Sequence, residues 1–125
     1  MTKMRNIVAF IFVAVTLGCM EPVGADTADT LENYVGYTIV GSKTIVGYRD
    51  KDGKSSEDFE GCDFDRKIRF DDGTALTCSG YDYSYSYRPT AVLLMKSSEF
   101  QGRKVAHIVM IVEDDAYDME PIFLH

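Results

Sequence analysis

The stretch RKIRFDDGTALTC, Arg66 to Cys78, constrains the fold more than any other part of this chain. A two-residue turn at Asp72-Gly73 would set Arg69 against Leu76 and scatter apolar side chains over both faces. A three-residue loop, Asp71-Asp72-Gly73, pairs Phe70 with Thr74 and Ile68 with Leu76 instead. Ile68, Phe70, Leu76 and Cys78 then share one face, and Lys67, Arg69 and Thr77 share the other. Burial of one face selects a register, so the second arrangement is expected. Gly73 supplies the left-handed residue that closes a type I turn with a G1 bulge.

The hairpin limits how its cysteine can pair. Run straight back from Arg66, Cys62 would lie about 13 Å beyond Cys78 at 3.3 Å per residue. Disulfide Cα atoms sit closer than about 7 Å. A Cys62–Cys78 bridge therefore requires CDFDR to bend back over the hairpin, or Cys62 to arrive from another strand. The bridge is expected because Cys19 lies in a leader, which leaves these two as an even pair in an oxidising compartment. Without a CxxC, neither a thioredoxin-like redox site nor a cysteine zinc site is supported.

The rest of the chain also reads as strands. YVGYTIVGSKTIVGY carries Val35, Tyr37 and Ile39 on one parity and Val46 and Tyr48 on the other. A bulge near Gly41-Ser42 would bring both sets to one face and bend the strand; a tight hairpin there is the alternative. AVLLM, Ala91 to Met95, and KVAHIVMIV, Lys104 to Val112, are apolar on both faces and read as buried strands. Residues 27–34 suit one or two helical turns. The sequence predicts an all-β domain over residues 26–125: a small antiparallel barrel or sandwich, SH3-like or OB-like, of about six strands with one disulfide.

Residues 1–25 are set apart. Lys3 and Arg5 precede the apolar run Ile7 to Leu17, and Val23-Gly24-Ala25 supplies a small-residue site before Asp26. That order is a cleaved signal peptide, and the run is shorter than the roughly 20 residues of a spanning helix. The mature chain is thus expected without a transmembrane span, periplasmic or secreted. TLGC, Thr16 to Cys19, resembles the lipobox of bacterial lipoproteins, although Thr16 and Leu17 are not its favoured residues. The resemblance implies an alternative in which an acylated Cys19 anchors the chain to a membrane. The leader as a whole resembles the export signal of small bacterial envelope proteins.

The formal charge of −7 repels phosphate backbones, which disfavours a nucleic-acid partner and favours a cationic one. Catalytic signatures such as GxSxG, HExxH and the P-loop do not occur. His107, within an apolar strand, is expected to be a core residue, and His125 ends the sequence. DKDGKSSEDFE superficially resembles a calcium loop, but with Gly53 at position six, Tyr48 and Phe59 would fall at ligand positions. Asp50 and Asp52 remain weak metal candidates beside Glu57 and Asp58. Asp63, Asp65, Asp71 and Asp72 could be drawn as paired carboxylates for glycoside hydrolysis, which needs a cleft to raise one pKa. No cofactor is expected.

YDYSYSYRP places Tyr81, Tyr83, Tyr85 and Tyr87 on one side of an extended segment, with Asp82, Ser84 and Ser86 on the other. The expected arrangement packs the tyrosines and wets the serines. The functional alternative is an aromatic platform for a glycan or peptide. Together these features predict a non-catalytic module recognising a protein or glycan in the cell envelope, such as an inhibitor of a cationic envelope enzyme. An envelope assembly accessory and a small hydrolase are the competing readings.

Overall fold

The computed structural model describes residues 25–124, so the leader, Cys19 and His125 lie outside the described residues, Ala25 excepted. A helix α1 (Ala25–Leu31) and a 3-10 turn (Glu32–Tyr34) precede seven strands: β1 (Thr38–Arg49), β2 (Ser55–Ser56), β3 (Lys67–Phe70), β4 (Ala75–Thr77), β5 (Thr90–Phe100), β6 (Arg103–Val112) and β7 (Asp115–Phe123). They form one antiparallel sheet in the order β4-β3-β1-β5-β6-β7, with β2 added to β1. The chain is therefore mostly β and antiparallel, as expected, and its strands form a single sheet. Its ladder is not closed: the end of β4 touches β7 only through the isolated Cys78–Met119 bridge, extended by Ser79 N–H donating to the Asp118 carbonyl at 3.1 Å.

β1 is one long bent strand rather than a hairpin. Its first half, Thr38 to Thr44, pairs with β5, and its second half, Ile45 to Arg49, pairs with β3. The register shifts once between Ile39 and Gly41 and again between Ile45 and Gly47, so two bulges let it change neighbours. The bulge was expected at the first place, but its effect was not. Val35 and Ile39 are exposed, and only Tyr37 of that set packs inward.

The hairpin of β3 and β4 takes the expected register, with Ile68 opposite Leu76 and Phe70 N–H donating to the Thr74 carbonyl at 2.9 Å. Gly73 has φ +87°, the left-handed value the turn requires. Cys62 and Cys78 are bridged, with Cα atoms 5.6 Å apart. CDFDR bends back to allow it. Arg66 N–H donates to the Asp63 carbonyl at 2.9 Å, and Asp65 takes φ +65°.

β5 and β6 are covered on both faces, as their unbroken apolar runs require. Ile45, Tyr48, Phe59, Ile68, Leu93 and Met110 belong to the main core with both cysteines. On the opposite face, Leu94, Val109 and Ile111 pack beneath Tyr34 and Tyr37, whose rings meet edge to face at 5.4 Å. α1 is tied to the β6–β7 turn by hydroxyls of Thr27 and Thr30, which donate to the Asp114 side chain and carbonyl respectively. None of the helices among the described residues is long and apolar enough to cross a membrane.

A candidate binding surface built on four tyrosines

Residues 81–87 do not form a regular strand. They run alongside residues 59–62 and are held by two isolated antiparallel bridges. Cys62 and Asp82 exchange backbone hydrogen bonds of 2.8 and 3.0 Å; Phe59 and Ser86 exchange another pair of 3.0 and 2.9 Å. The disulfide thus fixes one end of the segment directly.

The expected packing of the tyrosines is overturned. Tyr81, Tyr83, Tyr85 and Tyr87 are 55–69% exposed, whereas Ser84 and Ser86 are half-buried. Space decides this. Phe59 and Tyr117, in edge-to-face contact at 5.5 Å, already occupy the core beneath the segment. Gly61 lets the backbone come in so close that a Cβ there would lie 2.1 Å from the Asp82 carbonyl oxygen. Only a small side chain fits between, so the serines face in and the rings face out.

Carboxylates flank the row. Asp58 beside Tyr85, with burial, its hydrogen bond to that carboxylate and Glu60 adding, pushes that hydroxyl above its ordinary pKa. On the other side Ser86 donates to Glu113 Oε2 at 3.2 Å. Burial, then the neighbouring Asp82, Asp114 and Glu113, raises the Asp115 pKa above the usual carboxylate value. Among the described residues, the ion pairs are Lys43–Asp72, Lys51–Asp65 and Arg66–Asp50. None of the carboxylates around the tyrosines belongs to them.

At the Tyr81 end lies an open recess of about 230 Å³, bounded by Ser79, Tyr81, Asp82, Tyr117 and Asp118 among others. The Tyr117 hydroxyl is buried near Ser84 without a satisfied hydrogen bond. Burial pushes its pKa up to about 12, which Ser84 opposes and Asp115, Asp82 and Glu113 reinforce.

The other candidate residues are dispersed or committed elsewhere. Asp50 receives Nε of Arg66 at 2.6 Å and Nη2 at 3.1 Å, while the guanidinium lies 3.9 Å from the Tyr48 ring centre. Asp52 accepts from the Lys54 N–H at 2.9 Å inside its own turn. Among the described residues no three His, Cys, Asp or Glu side chains are grouped as metal ligands. Asp63 accepts from the Phe64 N–H, and Asp65 and Asp72 are paired with lysines. His107 is not a core residue: it is exposed on β6, where β7 bulges through Glu120 and Pro121, and its Nε2 is 2.8 Å from Ser98 Oγ. No family model, curated protein or solved structure matches the chain.

Proposed function

We propose that this chain is an exported, non-catalytic binding module of the cell envelope, periplasmic or secreted, that recognises a protein or glycan through its tyrosine row. The observation that carries this reading is the outward row of four tyrosines on a segment pinned by two pairs of backbone hydrogen bonds. Rigid rings of this kind supply contact area at low entropic cost, and tyrosine is enriched where proteins bind one another. A bent β1 and sheet edges meeting at Cys78 and Met119 support a small, incompletely closed barrel as the scaffold. Export is supported by the basic, apolar and small-residue order of residues 1–25, and the disulfide is compatible with it.

The test is retention of envelope proteins and glycans on the immobilised protein, compared with its Tyr83→Ala/Tyr85→Ala variant. Both side chains are exposed, so the thermal midpoint should hardly move. Retention should be lost. Equal retention by the variant would overturn the reading.

A second reading, an assembly accessory anchored through Cys19, is favoured by the position of that cysteine just after the apolar run. Intact mass of the exported protein separates the two, since acylation adds a lipid to a chain beginning at Cys19.

A further inference from the structure

We infer that the tyrosine row takes a basic, extended protein segment, with a Lys or Arg side chain seated beside Asp82 in the recess at the Tyr81 end. This inference rests on the reading of the row as a binding surface.

Charge complementarity names the occupant. Asp58, Glu60, Asp82, Glu113 and Asp115 surround or adjoin the row, and none of them forms an ion pair among the described residues. Beside the burial that chiefly raises the Asp115 pKa, Asp82, Asp114 and Glu113 push it the same way, as carboxylates crowded together do. A cation placed among them relieves that repulsion, whereas a neutral sugar leaves it in place and an acidic one adds to it. The net charge of −7 would draw the same cation in from a distance.

The protein also contains a filled version of the same arrangement. In the core, the Arg66 guanidinium lies on the Tyr48 ring and meets Asp50 through two nitrogens. The outer surface presents the acceptor half of that triad, tyrosine faces with carboxylates beside them, without the cation. Each ring–cation contact at an exposed site contributes about 0.5–1 kcal/mol, so several along one segment are needed. Alternate side chains of an extended chain share one side at roughly 6.6 Å spacing, so a second extended chain can lay several cations along the row.

Direction follows from Arg88. It is exposed immediately after Tyr87 and places a positive charge at that end of the row. The bound cation is therefore placed at the opposite end, where Tyr81, Asp82 and Asp118 bound the recess.

The experiment is calorimetric titration of the disulfide-intact protein with a blocked peptide of four Arg-Thr repeats. The same peptide with glutamine for every arginine, and a neutral linear oligosaccharide, serve as comparisons. The arginine peptide should bind, weaken with added salt, and lose about tenfold or more in affinity in both Tyr83→Ala/Tyr85→Ala and Asp82→Asn/Asp115→Asn. The glutamine peptide and the sugar should not bind. Equal binding by either comparison would overturn the inference, as would arginine-peptide binding that survives removal of the tyrosines. Failure of the arginine peptide, while the row still retains envelope material, would overturn this inference and leave the binding-module reading standing. Loss of both would overturn both.

Discussion

Cys62 and Asp82 exchange both of their backbone hydrogen bonds, at 2.8 and 3.0 Å, so a bridged cysteine is also the anchor of the tyrosine segment. A covalent staple and a recognition surface therefore share one residue pair. Replacing both cysteines by alanine should cost about 3 kcal/mol, the chain-entropy value for a loop of this length. Amide exchange at Asp82 should accelerate more than at Ile68 in the same variant. Equal acceleration at the two positions would mean that the anchor does not depend on the bridge.

Gly61 sets how closely the tyrosine segment approaches. With φ +81° and an added Cβ only 2.1 Å from the Asp82 oxygen, Gly61→Ala is both strained and overpacked. It should destabilise the protein by about 2–4 kcal/mol, adding a clash to the 1–3 kcal/mol of backbone strain. Gly73→Ala is the comparison, because φ is +87° but nothing lies within 4 Å. It should cost about 1–2 kcal/mol, from strain alone. Chemical denaturation of the two variants reads the difference directly.

Arg66 is the one buried charged side chain among the described residues, and Asp50 is its counter-ion. Asp50→Ala leaves that guanidinium unpaired and should cost about 3 kcal/mol. Arg66→Lys keeps the charge but gives up the two-pronged contact and the flat approach to Tyr48, so it should be destabilising as well. Replacing Arg66 and Asp50 together should cost less than the sum of the single changes, which a double-mutant cycle measures.

Two carboxylates should respond to acid with opposite signs. Folding raises the Asp115 pKa, so its ionised form is disfavoured in the folded state, and that penalty sets in as pH rises toward the folded value. Asp115→Asn should accordingly raise the melting temperature by about 1–3 °C at pH 7, with the gain fading below the ordinary carboxylate value. Lys43, then Thr74, holds the Asp72 carboxyl well below the usual range. Its stabilisation is present above that range and lost as pH falls, so Asp72→Asn should lower the melting temperature at pH 7 and matter less in acid.

Where one register alone could bury an apolar face, the sequence was decisive. Ile68, Phe70, Leu76 and Cys78 left a single way to turn at Gly73, and cysteine parity chose the bridge. The runs in β5 and β6 were equally plain, because both of their faces needed cover. The tyrosine row was not legible, for a physical reason. A period of two says which side chains share a side but not which side is inside. That choice was made by Phe59, Gly61 and Tyr117, which come from elsewhere in the chain. β7 was hidden differently: Tyr117 and Met119 alternate with Asp118 and Glu120, and the acids around them made the stretch resemble a loop. His107 was misplaced because its neighbours Ala106 and Ile108 are buried while it points outward beside a bulge.

β1 pairs with β3 through one half and with β5 through the other, so it joins the two portions of the sheet by continuous pairing. It is made early in synthesis, yet Thr44 must await Thr90 before that half can zip. Cys62 and Cys78 both lie in the intervening chain, and joining them shortens the path between these strands. Oxidation ahead of zipping reduces the entropy of closing that loop. A chain refolded with its thiols blocked should therefore dock β1 on β5 more slowly than one whose bridge has already formed.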